Sequence, residues 1–164
     1  MKWAKRSFLI LLTALVFAVP IGFLIYLYKD DADLYRSKDY DSPQKLRESA
    51  QGLVDGLNTH DPARVRLFSI KSGTPQDAVE QAKLNRLIEA ALPLPNCNYT
   101  LESVDDLGEQ GNRVFAWGTV PTYRYDMHLT EQCPGKPQLS RLIGVISRAT
   151  EGGHWTETLF VIEQ

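Results

Sequence analysis

Hydrophobic and polar positions along this chain change rhythm several times. From Phe8 to Tyr28 the run FLILLTALVFAVPIGFLIYLY has no charged side chain. At a rise of about 1.5 Å per residue it is long enough to cross a hydrocarbon core of about 30 Å as a helix. Residues 29–42, KDDADLYRSKDYDS, reverse the pattern, and this charge-rich, aliphatic-poor stretch predicts a solvated stalk. Ser42-Pro43 then supplies a cap and a first-turn proline. Leu46, Ala50, Leu53, Val54 and Leu57 recur at helical spacing, predicting an amphipathic helix to Asn58. Asp61-Pro62 repeats the start signal and predicts a short second helix carrying Val65, Leu67 and Phe68, broken by Ser72-Gly73. Thr74-Pro75-Gln76-Asp77 has the form of a capping box with Asp in place of Glu. It opens a third helix whose stripe is Leu84, Leu87, Ile88 and Ala91 and which Pro93 and Pro95 end near Leu92.

After Pro95 the period shortens. Cys97, Tyr99 and Leu101 alternate with Asn98, Thr100 and Glu102, predicting a strand with one wet face, followed by a turn-rich connection from Asp105 to Asn112. The aromatic and β-branched run Arg113–Leu129 reads as one bent strand or two, with Gly118 or Pro121 as the bend. A Pro/Gly loop spans residues 130–138, and Ser140–Ala149 and His154–Ile162 read as a hairpin closed over Glu151-Gly152-Gly153. Helices first and strands afterwards predict an α+β domain at residues 43–164. In it about three helices pack on a curved antiparallel sheet of about four strands.

The basic tip at residues 1–7, with Lys2, Lys5 and Arg6, would suit a cleaved signal peptide. However, the apolar run exceeds the usual signal core of about 7–15 residues and meets Tyr26, Leu27, Tyr28 and Lys29 without a small-x-small cleavage site. The reading is therefore a retained signal anchor at residues 8–28. Its N-terminus is cytoplasmic by the positive-inside rule, and the C-terminal domain is extracytoplasmic at the cell membrane. Trp3 on the inner side and Tyr26 and Tyr28 on the outer side suit the headgroup levels, and Pro20 reads as a tolerated kink.

The formal charge of −2 conceals an asymmetry. Of 18 Lys and Arg, four (Lys2, Lys5, Arg6 and Lys29) flank the apolar run, so 14 basic residues face 20 acidic ones beyond it, a net of −6. No basic cluster follows residue 29, which argues against nucleic acid as a partner, because phosphate binding requires Lys and Arg. Cys97 and Cys133 are the only cysteines, and an even count in an oxidising compartment predicts one disulfide. Their wide spacing argues against a redox C-x-x-C pair, and so few ligands predict no metal site and no cofactor. Asn98-Tyr99-Thr100 matches the N-glycosylation pattern, a short motif common by chance.

The segment LVDGLNTHDPARVRLF, Leu53 to Phe68, joins an amphipathic helix, an Asn-Thr-His-Asp turn and a short apolar segment. With the strand-rich end from Tyr99 to Ile162, it resembles the nuclear transport factor two-like superfamily, also called cystatin-like, over residues 44–164. The resemblance implies helices folded against a strongly curved sheet to make a cone. The chain departs from that pattern before its third helix, where Phe68-Ser69-Ile70 is the only candidate for the usual short strands. Single-pass actinobacterial envelope proteins and outer domains of type IV secretion components resemble the same plan of anchor, stalk and cone. That similarity implies a scaffold or ligand-holding role.

Enzymes of the superfamily place an Asp or His inside the cone beside aromatic donors. Asp126 and His128 have the residue types, yet alternation puts them on one face and Tyr123 and Tyr125 on the other. They read as surface polar groups opposite packed tyrosines, and His60 and His154 read as exposed loop and hairpin residues. No nucleophile elbow, phosphate loop or zinc-protease motif occurs, so no catalytic residue is assigned. Tyr99, Trp117, Tyr123, Tyr125 and Trp155 are the candidates for lining a pocket or an interface. The function expected is a membrane-tethered domain that binds a protein partner or itself, as an accessory to envelope transport or secretion. A binder of small apolar ligands and a cone-type isomerase or cyclase are the alternatives.

Overall fold

The computed structural model describes residue 40 and residues 42–70, 73–116, 118–150 and 154–162. The expected tip, membrane anchor and most of the stalk lie outside the described residues, as does Trp117. Among the described residues no helix is long and apolar enough to cross a membrane.

Helix α1 spans Pro43–Leu57. Ser42 caps it by accepting the amide of Lys45, and Leu46, Ala50, Leu53, Val54 and Leu57 are buried as the spacing predicts. The second helix is a correction: only Pro62–Arg64 coil, as one turn of 3-10 helix capped by Asp61. From Val65 the chain extends because tertiary partners claim it. The Phe68 amide donates to the Glu157 carbonyl at 2.7 Å, and the Arg148 guanidinium lies 3.7 Å above the Phe68 ring. Helix α2 spans Pro75–Ala91 and begins with the full capping box: Thr74 accepts the Asp77 amide while the Asp77 carboxylate accepts the Thr74 amide.

Four strands form one antiparallel sheet in sequence order: β1 (Asn98–Phe115), β2 (Gly118–Gln132), β3 (Leu139–Thr150) and β4 (His154–Ile162). The stretch Asp105–Asn112 is not the connection its composition suggested. It continues β1 through register shifts between Leu101 and Ser103, Asp106 and Gly108, and Glu109 and Gly111, and the chain reverses only between Phe115 and Gly118. Gly108 and Gly111 have φ of 71° and 73°, a left-handed conformation that glycine adopts without steric cost. Glycine in β1 therefore marks bulges that curve the sheet, and Gly118 closes the hairpin instead of bending a strand. β3 and β4 pair antiparallel as predicted, and the turn expected at Glu151-Gly152-Gly153 lies outside the described residues.

One side of the sheet faces α1 and carries the main core, including Leu101, Tyr125, Met127, Leu129, Val145 and Phe160 packed with Leu46, Leu53, Val54 and Leu57. Helix α2 lies by β4, sending Ile88 and Ala91 into that core and Leu84 into a smaller cluster with Ile146 and Leu159. The outer edge of β1 is partly covered by side chains. Asn58 exchanges two hydrogen bonds with the Tyr99 backbone, Arg47 donates to the Leu101 and Glu102 carbonyls, and the His60 ring bonds the Cys97 carbonyl at 2.9 Å. Ahead of Thr122, at Gly118–Pro121, β2 has no β3 partner among the described residues, so these residues and their β1 partners form a two-stranded arm.

Among the described residues of the expected stalk, Tyr40 departs from a solvated role. Tyr40 is buried, only 7 % exposed, and packs in the main core. Its phenol has apolar partners for the ring and polar partners for the hydroxyl, which outweigh the charged neighbours that made the segment read as stalk.

Candidate functional site

Alternation along β2 sends Tyr123 and Tyr125 to the α1-facing side, where β3 and β4 contribute Ser147 opposite Tyr123 and Trp155 opposite Ala149. A register shift between Ile146 and Ser147 leaves Thr158 as an extra residue in β4. Glu157 and Trp155 therefore share a side with Phe160, which strict alternation would not allow. Helix α1 adds Ser49 from above. The result is an aromatic box with a polar floor. Tyr40 is the centre, its ring centroid 5.0 Å from Tyr123 and 5.6 Å from Tyr125, and Tyr123 lies 5.4 Å from Trp155.

The polar floor is connected. The Tyr40 hydroxyl lies 2.9 Å from Ser147 Oγ and donates to Glu157 Oε1 at 3.0 Å, and Ser49 donates to the same carboxylate oxygen. Tyr123 donates its hydroxyl to Asp106. Tyr125 is fully buried, with its hydroxyl beside Ser49 and Glu157. Burial first, then the charge of Glu157, raises the Tyr40 phenol far above the ordinary tyrosine range. Tyr125 is raised by burial and by its neighbours Tyr40 and Glu157, and Tyr123 by burial and by its bond to Asp106. All three phenols are therefore held neutral, as donors and not as bases.

Tyr99 is elsewhere. It pairs with Glu131 at the other end of β2, where a cavity of about 390 Å³ is lined by Leu92, Leu94, Tyr99, Glu131, Arg141 and Ile162 among others. Glu131 is wholly buried. It accepts the Leu94 amide at 2.7 Å on one oxygen and the Arg141 guanidinium at 3.0 Å on the other. The Tyr99 hydroxyl donates to the Leu92 carbonyl at 3.3 Å, and its pKa is pushed up to about 12 by burial and then by Glu131, with Arg141 opposing. The predicted disulfide Cys97–Cys133 closes this end, with Cα atoms 4.2 Å apart. Among the described residues, Cys97, Cys133 and Glu131 form a group whose potential metal-ligand atoms lie close together, but its sulfurs are bonded to each other.

Asp126 and His128 lie on the side of the sheet opposite the tyrosines, as alternation requires. Asp126 is nevertheless no surface group. At 8 % exposure it is gripped by Arg124 through two bonds of 2.8 and 3.0 Å, over Gly144, whose missing side chain makes the room. His128 is half-buried and bonds Asp105 at 2.8 Å. His60 and His154 are exposed.

The structure thus unites Tyr123, Tyr125 and Trp155 but not Tyr99, and it adds Tyr40, Ser49, Ser147 and Glu157, none of which the sequence reading singled out. Parity within β4 alone placed Glu157 beside Trp155, and this was the one signal available for it. No protein-family model matches the chain, and no curated protein matches its sequence.

Proposed function

We propose that the chain is a non-catalytic, single-pass protein of the cell envelope, whose cone-type outer domain of the nuclear transport factor two-like kind holds a protein partner at the membrane surface. The observation that carries the interaction reading is the two-stranded arm. Ahead of Thr122 in β2 it pairs only with itself among the described residues, and Val114, 77 % exposed, stands on it with Leu107 exposed nearer the sheet. An isolated two-stranded ribbon is marginal in water, and an exposed β-branched side chain there adds nothing to the fold's core, so a partner surface accounts for both. The anchor and topology rest on the uncharged run from Phe8 to Tyr28 and on the Cys97–Cys133 disulfide, which suits an oxidising compartment.

What supports the non-catalytic part is the disposition of the ionisable groups. Asp126 and His128 are engaged by Arg124 and Asp105 on the side away from the aromatic box, and the carboxylates at the box are bound too, Glu157 by Tyr40 and Ser49 and Asp106 by Tyr123.

Photo-crosslinking from position 114 in native membranes tests the reading. A discrete adduct at position 114 that is absent from a probe at Asp55 on exposed α1, and weakened by Leu107→Lys, is the expected result. A protein that stays monomeric, with no adduct from the arm, would overturn it.

A further inference from the structure

We propose that the α1-facing side of the sheet is a phenol-binding site, and that Tyr40 is the ligand which the chain inserts into it from its own tether. Tyr40 belongs to no helix or strand; it precedes the cap of α1. Its position is set by what surrounds its side chain. Tyr123 packs tilted against its ring and Tyr125 meets it edge-on, which satisfies the ring quadrupole. The hydroxyl bonds Ser147 from β3 and Glu157 from β4, and Ser49 from α1 donates to the same Glu157 oxygen. Three separate elements thus meet around one phenolic hydroxyl, and a carboxylate that accepts its hydrogen bond distinguishes it from a plain aromatic ring.

The box also buries the Tyr125 hydroxyl, with Ser49 and Glu157 as its polar neighbours. Its ligand class is a small para-substituted phenol, with the para substituent leaving where the Tyr40 backbone now leaves. The site is independent of the arm, so it can stand or fall apart from the protein-interaction reading.

Cavity complementation in the full-length chain, in detergent, tests this. Tyr40→Ala is expected to lose hydrogen-exchange protection in α1 and β4. p-Cresol should restore that protection saturably, and toluene should need a roughly tenfold or higher concentration, because it cannot donate to Glu157. Wild type and Tyr40→Phe, whose ring still fills the box, should not respond to p-cresol. Adding Ser147→Ala to Tyr40→Ala should shrink the preference for p-cresol over toluene. If Tyr40→Ala does not fold alone, refolding it with p-cresol should recover folded protein. Failure of p-cresol to restore protection or folding, or equal potency of toluene, would overturn the site.

Discussion

At the residue scale, single atoms decide which positions tolerate change. Gly144 is a case in which absence of a side chain is required. A Cβ there would stand 2.9 Å from Asp126 Oδ1, 3.2 Å from the Val161 Cβ and 3.3 Å from Arg124 Nη2. Gly144→Ala should therefore destabilise the domain by about 1–3 kcal/mol, since neither the paired carboxylate nor the strand beneath can retreat freely. In urea denaturation the loss should be smaller in an Asp126→Ala background, and an additive result would show that the crowding is not with Asp126. The buried phenols make a second prediction. Tyr99 has its pKa raised to about 12, and Tyr40, Tyr123 and Tyr125 are also raised, four of the seven tyrosines. A phenol raised in the folded state binds more protons there than in the unfolded chain. Its contribution is thus complete below a pH of about 10 and is lost as pH climbs toward the folded value. Stability should fall above pH of about 10, and tyrosinate absorbance should rise in step with unfolding. A smooth titration of Tyr40, Tyr99, Tyr123 and Tyr125 in a still-folded domain would contradict their packing.

At the element scale, the sequence was most informative where one local rule acted alone. The stripe Leu46, Ala50, Leu53, Val54 and Leu57 and the Thr74–Asp77 box both appear in the structure because helical periodicity and capping need only neighbours in sequence. The misreadings arose where tertiary partners won. Gly108 and Gly111 resembled turn residues, since a bulge and a turn make the same demand for left-handed backbone, and only the pairing partner tells them apart. Phe68 followed a helical start signal but gave its amide to β4. Tyr40 lay among charges, and no pattern in its own segment could disclose Ser147 and Glu157 more than a hundred positions away. The same limit hid the candidate site: its aromatic walls on β2 and β4 were legible, while its polar floor depends on a register shift and on three elements meeting. The Cys97–Cys133 bridge joins the segment before β1 to the end of β2, which pair already. Closing a separation of 36 residues should contribute about 3–4 kcal/mol by restricting the unfolded chain. Replacing both cysteines by Ala should lower the urea midpoint and steepen the slope, because the unbridged unfolded chain exposes more surface.

At the scale of the whole molecule, the bridge and the uncharged N-terminal run bear on the same question, where the domain folds. A domain of this size is marginal, with a total stability of about 5–15 kcal/mol, so the bridge is a large fraction of it. A version of the chain lacking residues 1–28 and kept in a reducing cytoplasm would fold without the bridge, and Glu131 would then sit beside two thiols. If the full chain is inserted through residues 8–28 as proposed, it would deliver Cys97 and Cys133 to the oxidising side before the strands close. Two outcomes follow for protein taken directly from cells. The full chain should resist alkaline carbonate extraction, begin ahead of residue 8, and carry no thiol reactive to maleimide. The truncated chain should be recovered with both thiols reactive and be cleaved faster by protease, because its open population rises by the factor that about 3–4 kcal/mol implies, a few hundredfold or more. A full-length protein with reduced cysteines, or one whose N-terminus lies beyond residue 28, would mean that the apolar run is an export signal or a core element instead of a lasting anchor.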